Sequence, residues 1–370
     1  MQPLLSTLVS PLPLGRKQNG EPIKVKELLR GANDQPKNQV SLESSGTAKK
    51  ERTRRSSTKG DVLFVIYLAI FVAALWASSA GYVPNQSWEV YSLQYHTDWM
   101  NWMNNHTYIP HTLAIAYVIL TFGTKRWLAD KPGYSAELRL PLAWWSFALA
   151  AFSFAGAVRT VPVVLSIIQG AGYKHLVCGD TRSEWVAENP AGLWTLVFCL
   201  SKIPELLDTA FIVLRKKPLI TLHWYHHLTV MLFCWHAWCT MSLNGILFAA
   251  MNLTIHAVMY AFYALAAVGL RPSSFAIFLT LGQILQMAVG TAVTAYVTLD
   301  KMYWHPRPMV YDFKAPSWVA KDESQMDGQE CYMSDRAAVS GFVMYSSYFY
   351  FFVEFFYNAY FSKNSKGAEA

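Results

Sequence analysis

The sequence predicts an all-α multi-pass membrane protein with about eight transmembrane helices. Composition is the first observation behind this. Of 370 residues, 53% are hydrophobic and only 15% are charged, against roughly 25% charged in a typical soluble domain. The second is a series of eight apolar stretches after residue 60. They cover 62–83, 107–123, 140–168, 191–214, 220–242, 245–268, 274–299 and 339–361. Each is about 20 residues long, enough for ~30 Å of hydrocarbon. The third is that alternate connectors are basic. A backbone in lipid must satisfy its own hydrogen bonds, so the spans are expected as α-helices. This composition argues against a soluble enzyme, a disordered chain and a disulfide-rich secreted module.

Residues 1–60 read as a disordered basic tail. They hold 12 Lys/Arg and 5 Asp/Glu, including the run KKERTRR at 49–55, and no hydrophobic period persists there. A transit peptide is the competing reading, opposed by Glu21, Glu27, Asp34 and Glu43. The rest of the chain carries 19 of each sign. The basic character therefore belongs to the tail and does not indicate a nucleic-acid partner. A first membrane helix is expected within 61–90, a main membrane domain over 91–362, and a short tail over 363–370.

Basic connectors lie before the first span, at 124–139, at Arg215-Lys216-Lys217, at Arg271 and after the last span. The opposite connectors at 84–106 and 243–244 hold no Lys or Arg. Positive-inside logic then places both termini in the cytosol. On the other side lie Cys178 and Cys331, in the two longest loops. They are either free thiols or, in an oxidising lumen, a disulfide. Cys199, Cys234 and Cys239 fall within spans and read as packing residues. The sequons at Asn85 and Asn105 sit close to spans and are expected to be unused.

Polar groups inside a membrane are functional candidates by default. The fourth stretch carries Lys202, Glu205, Asp208 and Thr209, whose spacing puts them on one helical face. Lys202 can pair with Glu205 or with Asp208. Either pair can serve packing alone. The fifth stretch opens with His223-Trp-Tyr-His226-His227, three imidazoles on one face near the cytosolic side. His236 carries no such pattern and reads as packing. The sixth holds Asn252, His256, Met259, Tyr260 and Tyr263 in one stripe. The seventh holds Gln283 and Gln286, which either line a cavity or bond between helices.

Two chemistries use such histidines. One is metal-dependent lipid hydroxylation or desaturation. A di-iron site needs roughly eight ligands. His96, His106, His111, His175 and His305 lie elsewhere, leaving His223, His226, His227 and His256 with Glu205 and Asp208 nearby. The other is acyl transfer. A neutral imidazole is a nucleophile, and an acyl-imidazole passes its acyl group on. A neighbouring His acts as base or orients the first. Asn252, Gln283 and Tyr260 can stabilise an oxyanion or enolate. Arg215, Lys216, Lys217 and Arg271 can hold the phosphates of a soluble carrier, or serve topology only. A lipid transporter without bond chemistry is a third reading, which gives three adjacent imidazoles no task.

KIPELLDT at 202–209, HWYHH at 223–227, NLTIHAVMYAFY at 252–263 and QILQ at 283–286 together resemble the ELO family of very-long-chain fatty acid elongases. The likeness runs from about residue 96 to 361. The resemblance implies an endoplasmic-reticulum condensing enzyme with six helices in an inverted barrel around an acyl tunnel. It joins malonyl-CoA to an acyl-CoA and releases CO2 and CoA, with no other cofactor. It implies that His226 carries the acyl chain in a ping-pong mechanism, that His256 assists the second half, and that His223 and His227 complete the box. It matches Cys178 and Cys331 to a luminal disulfide. The reductase and dehydratase enzymes of the cycle are implied partners, as is a second copy of the chain. Leu222 and Trp224 resemble members acting on saturated and monounsaturated chains. The chain departs from the pattern in its first span and at Phe262.

Overall fold

The computed structural model describes residues 39–89, 93–179, 189–240, 244–304, 309–312, 317–320, 331 and 333–361. Ten α-helices run through these residues: α1 (Gln39–Ser79), α2 (Leu93–Asn105), α3 (Tyr108–Trp127), α4 (Arg139–Cys178), α5 (Ala191–Ser201), α6 (Leu207–Leu214), α7 (Thr221–Cys239), α8 (Gly245–Ala267), α9 (Ala276–Leu299) and α10 (Asp335–Tyr360). Each of the eight apolar stretches is helical over most of its described residues, the fourth as two separate helices.

Three features differ from expectation. A two-stranded antiparallel hairpin, Met309–Asp312 with Ser317–Ala320, interrupts the all-α reading. Its Val310, Tyr311, Trp318 and Val319 are strand formers inside a long connector. The fourth stretch is not one helix. Pro204 lacks the N–H that would continue α5, and a 3₁₀ turn over Pro204–Leu206 separates α5 from α6. Finally, α1 begins at Gln39, so residues 39–60 form helix continuous with the first span instead of a disordered tail. Residues 1–38 and the tail at 363–370 lie outside the described residues.

Four helical segments are long and apolar enough to cross a membrane: Ser56–Ser79, Arg139–Cys178, Gly245–Ala267 and Ser273–Tyr303. The other four stretches carry His, Tyr and Trp, which lowers their mean hydropathy, or are cut short at Pro204. On α1, Val62, Leu63, Val65, Ile66, Ile70, Val72 and Trp76 all face outward and exposed. Leaving seven such side chains in water would cost on the order of 10 kcal/mol. That rivals the net stability of a whole domain, so this face belongs in lipid.

The core is built on α4 and α8, which pack along most of their length around Ala157, Ala249, Leu253 and Ala257. Small residues let these backbones approach closely. α9 lies against α10, where Gly290 leaves room for the Tyr345 ring. A disulfide joins Cys178, at the end of α4, to Cys331. The Cys331 amide donates to Asp300 (3.1 Å). α1 lies outside this core against α4 and α8, held by Phe64 on Phe262 and Phe275. α7 packs against α2, α3, α5 and α10, and its His223, His226 and His227 line a cavity between the helices.

Candidate active site

Two cavities lie end to end between the helices. The outer one is lined by His223, His226, His227, His256, Tyr260 and Gln283 among others. The inner one runs past Phe198, Val230, Phe233 and Phe248 to His96 and Trp238. Four residues line both: His226, Asn252, Gln286 and Met287. His226 therefore sits at the junction. The inner wall is mostly apolar, as a hydrocarbon chain requires.

The helix period sets the histidine geometry. His223 and His227 lie one turn apart, with ring centroids 4.5 Å apart and planes tilted by 49°. His226 lies edge-on to His227 at 5.6 Å. Nδ1 of His226 has no hydrogen-bond partner among the described residues. The His223 Nε2 lies 3.1 Å from the Thr209 hydroxyl, which meets the Tyr117 hydroxyl at 2.7 Å.

A second network supports His256. Lys202 pairs with Glu205 (2.7 Å) and also donates to Oδ1 of Asn252 (3.2 Å). Nδ2 of Asn252 then lies 3.2 Å from Nε2 of His256. Of the two partners open to Lys202, the structure selects Glu205. The turn at Pro204 sends Asp208 elsewhere. Its carboxylate accepts from Tyr260 (2.6 Å) and Trp145 (2.6 Å) and lies 3.9 Å from Nε2 of His227. Glu205 also accepts from Ser201 (2.8 Å), so both acids are fully partnered without water.

Gln286 is buried at the cavity junction. Gln283 faces the outer cavity and donates to the Met259 sulfur (3.1 Å). The basic residues divide. The Lys216 ammonium donates to the carbonyls of Ala129 (2.8 Å) and Lys131 (2.7 Å), so the loop before α4 holds it. Arg215 is buried, and its Nε and Nη1 have no partner among the described residues. Lys217 is held below the ordinary lysine range by burial first, then by Arg215 and Arg271. Arg215, Lys217 and Arg271 thus form one cationic cluster.

Sequence reasoning missed several residues that come from distant elements. Tyr348, on α10, packs its ring 4.6 Å from His226 and donates to the His226 carbonyl (3.3 Å). Trp145 supports Asp208 from α4. His96, set aside from the histidine group in the sequence, is buried on α2 and packs 4.4 Å from Trp238, both lining the inner cavity. No local spacing signals these contacts. Among the described residues, no three His, Cys, Asp or Glu side chains are grouped to hold a metal ion.

Residues 102–368 match the model of the GNS1/SUR4 family, ELO. The chain belongs to the ELO family. This ELO chain is 38% identical over 268 residues to very long chain fatty acid elongase 6 of Gallus gallus, covering 72% of this chain and 90% of that one. It is 36% identical over 272 residues to very long chain fatty acid elongase 6 of Mus musculus, covering 73% and 91%. It is 40% identical over 228 residues to fatty acid elongase 2 of Trypanosoma cruzi, covering 61% and 75%. The matched family segment starts after α1, so α1 stands outside it. The ELO chain is a multi-pass membrane protein.

Proposed function

We propose that this ELO chain is the condensing enzyme of fatty acid elongation, an acyltransferase. It takes malonyl-CoA and a long-chain acyl-CoA to a 3-ketoacyl-CoA, CO2 and CoA. The observation that carries the reading is His226, with a free ring nitrogen, where an apolar inner cavity meets a histidine-lined outer one.

In the first half-reaction a His226 nitrogen attacks the thioester carbonyl. The C–S bond breaks, CoA leaves as thiol after protonation, and the acyl chain stays on the imidazole in the inner cavity. In the second, malonyl-CoA loses CO2. The resulting enolate carbon attacks the acyl-imidazole carbonyl, a C–C bond forms, and His226 is released. Asn252 and Gln286 at the junction, with Gln283 farther out, are the donors available to a developing oxyanion or enolate, whereas the Tyr260 hydroxyl is committed to Asp208. His256 faces the outer cavity, where the malonyl group would enter. Its Nε2 accepts from Asn252, so its proton sits on Nδ1. Lys202, Glu205 and Asp208 hold these groups, and His223 and His227 complete the box.

Arg215, Lys217 and Arg271 would meet the CoA phosphates. Lys216 is committed to the loop before α4 and contributes less. Eight helices cross the endoplasmic-reticulum membrane with both termini cytosolic, and six of them form the inverted barrel. The 3-keto product requires reduction, dehydration and a second reduction. The enzymes of those steps are therefore the expected membrane partners, alongside a second copy of this chain. The acyl substrates are saturated and monounsaturated.

The test is purified protein in detergent, given palmitoyl-CoA and malonyl-CoA, with His226→Ala alongside. The expected product is a 3-ketoacyl-CoA two carbons longer, absent from the variant. Turnover that survives in His226→Ala would overturn the nucleophile assignment. No product from wild-type protein across an acyl-CoA panel would overturn the condensing reading.

A further inference from the structure

The cytosolic end of α1 grips the turn between α8 and α9. Ser56 donates to the Gly269 carbonyl. The Ser57 and Ser273 hydroxyls meet at 2.6 Å. The Asp61 carboxylate accepts from the Ser274 hydroxyl (2.7 Å) and amide (3.3 Å). Gly60 marks the closest approach. A Cβ there would come within 2.8 Å of the Leu270 and Arg271 backbone. That turn carries Arg271, one of the three clustered cations.

The residues before this contact read Arg52-Thr-Arg54-Arg55-Ser56-Ser57. Arginines two and three residues ahead of a serine are what the acidic groove of a basophilic protein kinase binds. The segment 39–55 is rich in Ser, Thr and Gly, which are weak helix formers. The structure has this segment helical, but a helix of that composition is marginal in water, and its opening would give the extended form a kinase takes.

We propose that Ser57 is a phosphorylation site for a basophilic serine kinase, and that the phosphate releases α1 from the α8–α9 turn. The Ser57 oxygen attacks the γ-phosphorus of ATP. An O–P bond forms, the bridging P–O bond to the β-phosphate breaks, the hydroxyl proton goes to the kinase's base, and ADP leaves. The phosphate then has no room in a contact of 2.6 Å beside the Gly60 approach. It also sets nearly two negative charges one helical turn from Asp61, which repels them. Attraction to Arg139 does not compensate, because that side chain already donates to the carbonyls of Ala267 (2.8 Å) and Val268 (2.7 Å). Release loosens the turn that presents Arg271. This consequence rests on the cytosolic orientation and CoA role proposed above.

The test treats full-length protein with cAMP-dependent protein kinase and ATP, in detergent and in sealed microsomes. Wild type and Ser57→Ala are compared by phosphopeptide mapping and hydrogen exchange. The expected result is phosphate on Ser57 in both preparations, with amides 268–274 exchanging about tenfold faster, and neither change in Ser57→Ala. No phosphate on Ser57, or a phosphate that leaves exchange in the turn unchanged, overturns the proposal. Phosphate in detergent but not in microsomes overturns the orientation and the proposal with it. Arg271→Gln, assayed alone for acyl-CoA KM, tests the CoA role separately.

Discussion

Lys202 donates to Oδ1 of Asn252 across 3.2 Å, and that bond decides which proton His256 carries. An ammonium only donates, so Oδ1 must face it and Nδ2 must face His256. Nε2 of His256 then accepts, which leaves its proton on Nδ1. A network of this kind fixes a tautomer in the way a metal-bound or catalytic histidine requires. Lys202→Met would leave the Glu205 carboxylate buried without its ion partner. That should cost about 3–5 kcal/mol of stability. The double variant Lys202→Met/Glu205→Gln should recover most of the melting temperature and still lose activity. Recovery of both would reduce the pair to a packing role.

His256 and His226 should fail at different steps. His256→Gln should still release CoA from acyl-CoA alone and carry the acyl mass on the intact protein. It should form little 3-ketoacyl-CoA. His226→Ala should do neither. Intact-protein mass spectrometry with a CoA-release assay separates the two, and loss of CoA release in His256→Gln would move His256 into the first half-reaction.

Tyr348 limits where the His226 ring can point. Removing its hydroxyl deletes the contact to the His226 carbonyl and leaves the ring in place. Tyr348→Phe should lower kcat by about tenfold, since misplaced reacting groups are costly, with acyl-CoA KM little changed. A change confined to KM would contradict this.

The inner cavity ends at Trp238 and His96. Trp238→Ala should lengthen the accepted chain by two or more carbons. Two methylenes are worth about 1.6 kcal/mol of burial, or more than tenfold in kcat/KM for the longer substrate. An acyl-CoA panel with an unchanged optimum would show that depth is set elsewhere.

Lys217 loses its proton at lower pH than an ordinary lysine, because burial and the nearby Arg215 and Arg271 disfavour its charge. A dianionic phosphate needs that charge. Acyl-CoA KM should therefore rise as pH climbs toward the ordinary lysine range of about 10.4. Lys217→Arg should flatten the rise, because arginine stays charged. A KM that is level across this range in wild type would remove Lys217 from the phosphate site.

Much of this was legible in order along the chain. Each apolar stretch is helical because side-chain polarity and backbone hydrogen bonding are local demands. The histidine pattern 223, 226 and 227 lies on one face because 3.6 residues make a turn. The same logic over-reached at 202–209. It treated Pro204 as one more helical residue, yet Pro204 ends α5, and Asp208 leaves the Lys202 face for Trp145 and Tyr260. The helical 39–60 segment was also hidden, since its composition alone favours no order and its C-terminal end gains partners, Gly269 and Ser273 among them, from far along the chain.

The sequence by itself therefore determined the helices, their membrane character, the polar residues that must be explained, and the ELO resemblance. Only the tertiary structure decided that Lys202 takes Glu205 and Asn252, that Tyr348 and Trp145 support the site, that Lys216 is occupied, and that His226 stands where two cavities meet. Local periodicity assigns a residue to a face. Which face meets which is set by close packing between helices far apart in the chain, and no residue spacing encodes it.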